Sequence, residues 1–459
     1  MMRLGFLIYL VLSSWCATAQ KAKTPLFKNG DKVCFIGNSI TNSGEFYNFI
    51  YLYYATRYPQ EQLQFINCGI SGDVAAGVLK RMDKDILIHQ PNWTVLMVGM
   101  NDVRRNLYTT EASKKTGIEN ERTKVLNTYR NNTEDIVKIL GSKSKVILQK
   151  PTIYDQTAVL KAANDFGVND ALGKCADQVQ KLSDKYNTKL VDYRTIMNQV
   201  NSQLQQDNPA ATIIGPDRIH PASPGHLLMA YQFLKSTGSS RYVSKIIIEK
   251  NLYQSNERSL NCEINNLKTE PDGISFRCLE NSLPFPVRPE AMEALGWIPF
   301  TEDLNQQILQ VSDVKAGNYD LQIDGRLVAS YSSEELEKGI NLSLLKATPQ
   351  YQQALKVMNL CMNLRKHESL LRSLKFVEIG HLEDLKIRTD TAQIKQFLDD
   401  RLKKYENSGH YSYYKTQFQK YLLNKPREER TEKQMESIRN EIYQVNKPVP
   451  HVFKLVKKS

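Results

Sequence analysis

The sequence predicts an α/β fold: a three-layer α/β/α domain with a parallel sheet, followed by a small β-rich region and a helical C-terminal region. Three observations carry this. Between Lys32 and about Gly238, short runs rich in Val, Ile and Leu alternate with longer helical stretches, and parallel strands need such crossovers. After about Lys250 the strand-like runs continue with turns between them and no helices, which suggests an antiparallel sheet or small sandwich. From Thr348 onward the chain reads as mostly helical and polar. A length of 459 residues, with 41% hydrophobic and 24% charged, agrees with two or three folded units.

Arg3 is followed by the apolar run 4–12 and then by the small residues Ala17, Thr18 and Ala19, the pattern of a signal peptide over residues 1–19. The mature chain is expected to begin at Gln20. Trp15 sits where a lipoprotein signal on Cys16 would want a small residue, so a lipid anchor is not expected. Neither this run nor any later one approaches the roughly 20 residues of a membrane-spanning helix. An exported protein, periplasmic or secreted, without an integral membrane segment is therefore expected.

Within residues 20–250 the strand candidates are 33–37, 65–69, 95–99, 146–149 and 190–193, each four or five residues rich in Val, Ile and Leu and so read as buried on both faces. The helix candidates are 45–57, 74–89, 121–140, 170–186 and 223–234. In the β-rich region, 251–340, strands are expected at 260–267, 274–279, 308–311, 319–323 and 327–331, separated by turn residues such as Pro271-Asp272-Gly273 and Asp324-Gly325. The helical region, 341–459, divides into 352–374, 391–423 with a break at Ser408 and Gly409, and 432–444.

A net charge of +12 invites a nucleic-acid partner. The charge is local, however: residues 21–250 and 341–459 are basic and 251–340 acidic, and an exported chain does not meet nucleic acid. The opposite charges suggest instead that the tail folds back on the body and borders its cleft.

The chemistry lies at the ends of the predicted strands, where a parallel sheet gathers its ligand-binding loops. Ser39 follows the first strand and opens a helix, where negative charge is stabilised. Gly72 lies in the Gly69-Ile70-Ser71-Gly72-Asp73 turn after the second strand, and Asn101 follows Gly99 and Met100 after the third. Asp217 precedes His220 by three residues, close enough to hold the imidazole Nδ1 and leave Nε2 as a base. Each feature alone is an ordinary cap or turn. Four in this chain order on one α/β domain are not.

In these residues the sequence resembles the SGNH (GDSL-type) hydrolases, with a flavodoxin-like sheet, over about residues 31–236. The resemblance implies Ser39 as nucleophile, Gly72 and Asn101 as oxyanion donors, and His220 and Asp217 as the base and its orienting partner. Many members carry aspartate where Asn38 stands; the reacting groups are untouched by that departure. The stretches 67–73 and 99–105 resemble members that act on glycans of bacterial envelopes, which makes Asn38, Asp73, Met100, Arg104 and Arg105 candidates for substrate contacts. The two arginines suit a carboxylate on an acidic sugar.

The expected function is a serine esterase removing acetyl or another short acyl group from an oligo- or polysaccharide, with no cofactor and no metal. His-Glu-x-x-His and Cys-x-x-Cys are both absent from the sequence. A lipase, lysophospholipase or thioesterase of the same fold is one alternative, and a non-catalytic glycan-binding protein another. Six cysteines follow the signal. Cys34 and Cys68 are expected as free core thiols, and Cys262 and Cys278 could form a cross-strand bridge.

Overall fold

The computed structural model describes residues 24–249, 251–382 and 391–458. The expected signal peptide, with Cys16 and Gln20, lies outside them.

Five parallel strands form the central sheet: β1 (Lys32–Gly37), β2 (Gln64–Gly69), β3 (Trp93–Met97), β4 (Lys145–Gln149) and β5 (Lys189–Val191), in the order β2-β1-β3-β4-β5. Successive residues serve opposite faces, as the pleat requires. Val33 and Phe35 pack with the helices Glu45–Arg57, Tyr193–Asp207 and Ser223–Ser236, whereas Cys34 and Ile36 pack with Ala75–Arg81, Ile118–Gly141 and Val168–Tyr186. That is the expected three-layer domain. Its strand order reverses between β1 and β3, and such a switch point is where an open α/β sheet leaves a crevice beyond its strand ends.

Three local features depart from expectation. The helix expected over 74–89 is regular only through Ala75–Arg81 and then passes into a π-helical turn, Met82–Ile86, and a 3₁₀ turn, Leu87–His89. A helix not anticipated, Tyr193–Asp207, begins where Asp192 accepts the Thr195 N–H at 3.0 Å. The helix Glu45–Arg57 is buried from Phe46 through Arg57, with no solvent face.

The β-rich region begins before residue 250. β6 (Tyr242–Ile248) pairs in parallel with β9 (Gln306–Val311), and β12 (Ile340–Asn341) completes a three-stranded sheet. Facing it, β7 (Cys262–Glu270), β8 (Gly273–Glu280), β10 (Asn318–Ile323) and β11 (Arg326–Ser332) are joined by β13 (His451–Lys457) in the order β11-β10-β13-β8-β7. An antiparallel sheet or a small sandwich was expected, and the structure has the sandwich; the central strand of its larger sheet was not expected, because it comes from the end of a tail read as helical. Leu309, Phe276, Leu321, Phe453 and Leu455 lie in its core. Cys262 stands opposite Glu280, and Cys278 opposite Ile264, so the two are diagonal neighbours; both remain thiols, as do Cys34 and Cys68.

In the helical region Pro349–Gly380 is the long element, followed by Thr391–Lys403, Tyr411–Asn424 and Glu428–Val445. The long helix packs on Glu45–Arg57 and on β2, so the tail does fold back on the body.

Gly37 closes β1 where the chain turns into the short helix Ser39–Ser43. A Cβ there would stand 2.5 Å from the Met97 carbonyl oxygen and run into Thr41. Gly37→Ala is expected to cost roughly 1–3 kcal/mol by overpacking, read as a lower urea midpoint at unchanged slope. An unchanged midpoint would contradict this close approach.

Candidate active site

Asn38 sits between β1 and the helix Ser39–Ser43, and its Oδ1 accepts the Ile40 N–H at 3.1 Å. After the cap, the half-buried Ser39 stands at the end of β1, beside the switch point, as the first residue of a helix whose opening N–H groups have no partner within the helix. Ser39 Oγ is 2.7 Å from His220 Nε2. On the other side of the ring, Nδ1 is 2.5 Å from Asp217 Oδ2. Ser39, His220 and Asp217 thus form one hydrogen-bonded row.

The loop 214–221 is folded back on itself. Gly215 N–H donates to His220 O at 2.6 Å, Ile214 bridges Pro221, and Asp217 Oδ1 accepts the N–H groups of Ile219 and His220, both at 3.0 Å. Burial alone would raise the Asp217 carboxyl. The bond to the His220 ring and these backbone donors outweigh it and hold the group below its ordinary value. Arg218, between the two, adopts a left-handed conformation with φ of 67°. Its buried guanidinium therefore points away from the row and donates to the carbonyls of Asp155, Ala158, Leu160 and Ala162. This anchor was missed in the sequence, where an Arg inside Asp-x-x-His reads as surface charge.

The candidate oxyanion donors sit on three loops: Ser39 after β1, Gly72 after β2 and Asn101 after β3. Gly72 is exposed with φ of 81°, a conformation that favours glycine although no atom crowds the position. Among the described residues, the N–H groups of Ser39 and Gly72 have no protein acceptor. Asn101 donates one amide hydrogen to Asp73 O at 3.0 Å, which ties the loop after β3 to the turn after β2 and leaves its second hydrogen for a ligand. Asp102, a second residue missed in the sequence, accepts the N–H of Gly99 at 2.9 Å and of Ala75 at 2.7 Å. Burial pushes its carboxyl up to about 6 despite those bonds.

The residues expected to contact substrate divide. Asn38 is spent on its helix cap, and Met100 is 2% exposed. The Asp73 carboxylate accepts from Arg81 Nε at 2.8 Å and from the Val74 N–H at 3.0 Å. All three side chains are thus held by the protein, because strand-end residues are where the fold must cap its helices and close its core. Arg104 is exposed beside the Asn101 turn, and Arg105 is half-buried. His226 is a core residue of Ser223–Ser236, stacked 6.5 Å from Phe46 and lowered to about 4 by burial. Among the described residues, no group of three His, Cys, Asp or Glu is arranged to hold a metal ion, and no helix is long and apolar enough to cross a membrane.

A flavodoxin-like sheet with hydroxyl, imidazole and carboxylate aligned at its switch point is the framework of an ester hydrolase. Residues 35–228 match the model of the GDSL-like Lipase/Acylhydrolase family, and over this domain the chain is an SGNH (GDSL-type) hydrolase. It is similar to an acetylxylan esterase from Geobacillus stearothermophilus, 26% identical over 229 residues that make up 46% of this chain and 95% of that one. A solved structure of that esterase gives a TM-score of 0.39 at 25% identity, covering 46% of this chain and 96% of the other. The structure of a gut microbial diltiazem-metabolizing enzyme matches with a TM-score of 0.84 at 28% identity, covering 95% of this chain and all 100% of that one. This second likeness runs through the β-rich and helical regions as well as the hydrolase domain.

Proposed function

We propose that the protein is a serine esterase that removes acetyl, or another short acyl group, from a carbohydrate. The observation that carries the proposal is the row from Ser39 through His220 to Asp217, with distances of 2.7 and 2.5 Å. His220 Nε2 takes the Ser39 proton as Oγ attacks the ester carbonyl carbon. The carbonyl oxygen becomes an oxyanion, stabilised by the N–H groups of Ser39 and Gly72 and by the free amide hydrogen of Asn101. As the intermediate collapses, the bond from the acyl carbon to the sugar oxygen breaks and His220 gives its proton to that oxygen, so the sugar leaves as an alcohol and an acetyl ester remains on Ser39. Water, deprotonated by the same imidazole, releases acetate and restores the serine.

The openness of the row supports a bulky acylated substrate. The side chains of His220 and Asp217 are 46% and 49% exposed, so a small acyl group can be presented from a large molecule without entering a tunnel. The similarity to an acetylxylan esterase supports a glycan, and the exposed Arg104 beside half-buried Arg105 suits an acidic one. An N-terminal export signal would bring the enzyme to such glycans outside the cytoplasm.

Acetate release from a panel of acetylated oligo- and polysaccharides tests this reading, with diltiazem as a non-sugar comparison and acetate against octanoate esters for chain length. Release from at least one glycan, with acetate preferred, is expected. Preference for octanoate with no release from any glycan would overturn it. Asn101→Ala is expected to lower kcat about a hundred- to a thousandfold with KM little changed, because its amide acts on charge that exists only in the transition state. Equal loss in KM and none in kcat would remove Asn101 from the oxyanion site.

A further inference from the structure

β2 is an edge strand, and an edge presents unpaired backbone groups that must be covered. The long helix Pro349–Gly380 covers this one with side chains spaced three and four residues apart, hence on one face. Arg365 Nε donates to Ser43 O at 2.9 Å, at the end of the short helix that begins with Ser39. Glu368 accepts the Asn67 N–H of β2 at 3.0 Å and the Tyr47 hydroxyl. Arg372 Nε donates to Gly69 O, the last carbonyl of β2, at 2.6 Å.

Arg372 also begins a chain of charges. Its two terminal nitrogens meet the two Asp85 oxygens, each at 2.6 Å. Asp85 lies in the π-helical turn and is shared with Arg81 Nη1 at 2.5 Å, and Arg81 Nε reaches Asp73 at 2.8 Å. No side chain of the four is more than 8% exposed. Burial pushes the Asp85 carboxyl up, but Arg372 and then Arg81 outweigh it and leave it lowered to about 2. At the far end Asp73 is adjacent to Gly72, and its carbonyl accepts the Asn101 amide. Buried ion chains add little stability over apolar packing of the same volume; what they impose is a defined geometry.

We propose that Arg372 is a positioning residue for the hydrolase site: through Asp85 and Arg81 it fixes Asp73, and so sets where the Gly72 N–H and the Asn101 amide meet the oxyanion. The proposal rests on the reading of Ser39 as nucleophile. It gives the helical region a role in positioning the site, acting from the edge of the sheet without touching substrate.

The test compares wild type with Arg372→Gln and Asp73→Asn in the full-length chain, each checked for folding by circular dichroism and melting temperature. An activated acetate ester reports kcat and KM, and a boronic acid, which forms a tetrahedral adduct with a nucleophilic serine, reports affinity for the transition-state shape. Arg372→Gln is expected to lower kcat about ten- to a hundredfold with KM within about threefold, and to weaken the boronate in parallel. Asp73→Asn removes the charge paired with Arg81 and leaves one acceptor oxygen for the two donors Arg81 Nε and Val74 N–H, with the helix still docked, so it is expected to show the same signature. The double variant is expected to fall short of the product of the two losses. A folded Arg372→Gln protein with unchanged kcat and boronate affinity overturns the proposal; if that variant does not fold, unchanged values in Asp73→Asn overturn it. Failure of a fluorophosphonate to label Ser39 in wild type would overturn the nucleophile assignment itself, a result distinct from either.

Discussion

Ser39→Ala is expected to cost on the order of 10⁴- to 10⁶-fold in kcat on an activated acetate ester and to leave the fold intact. The chemical loss is complete because no second nucleophile can take over Oγ's place against the imidazole. The structural loss is small for a reason visible in the loop: the cap of the helix Ser39–Ser43 is the Asn38 side chain, and Ser39 Oγ bonds only to His220 among the described residues. Alanine keeps the backbone N–H. The variant should therefore bind a glycan with undiminished affinity while a fluorophosphonate no longer labels it. His220→Ala should lose comparable activity, yet retain slow labelling through the hydroxyl that remains. Full turnover by a well-folded Ser39→Ala protein would falsify the nucleophile assignment.

The contrast between the serine and its supports explains what was legible in the sequence. Ser39, Gly72, Asn101, Asp217 and His220 each sit within a few residues of a strand end or in one tight loop, so local pattern and chain order single them out as candidates. The five parallel strands were legible for a related reason: a strand covered on both faces is rich in Val, Ile and Leu, and its run ends where the loop begins. Arg372 lies 287 positions from Asp85, and an isolated Arg on a polar helix carries no local mark of burial. The helix Tyr193–Asp207 is rich in Asn and Gln, and only its Tyr193, Met197, Val200 and Asn201 are buried, a stripe too sparse to stand out. His451–Lys457 alternates buried and exposed residues as a strand should, but it follows a long helical stretch and is only seven residues long. One signal did announce the covering helix. Residues 45–57, with Phe46, Phe49, Ile50 and Leu52 among four tyrosines, are apolar around the whole helix, and a helix without a polar face needs protein on both sides.

Asp217→Asn is expected to be more damaging than Asp217→Ala, and the hydrogen bonds say why. In the native loop Oδ1 accepts two backbone N–H groups, from Ile219 and His220, and Oδ2 alone faces the ring. Asparagine would keep its oxygen on those two donors, which leaves its NH₂ toward Nδ1. An NH₂ there can only donate, so Nδ1 must be the unprotonated nitrogen and Nε2 carries the hydrogen. That tautomer cannot accept the Ser39 proton, and kcat is expected to fall about 10⁴-fold. Alanine removes the carboxylate without enforcing the wrong tautomer, because a ring 46% exposed can donate Nδ1–H to water. It loses orientation and the charge opposite the imidazolium, and should keep more activity than asparagine at every pH. The carboxylate's own titration has a defined sign as well. Its folded value lies below the ordinary one, so its contribution to stability is present above the ordinary value and fades as the pH falls through the folded one. With the side chain half exposed, that contribution is small against its effect on rate. Asparagine more active than alanine would mean that Asp217 does not set the tautomer of His220, whatever else the loop does.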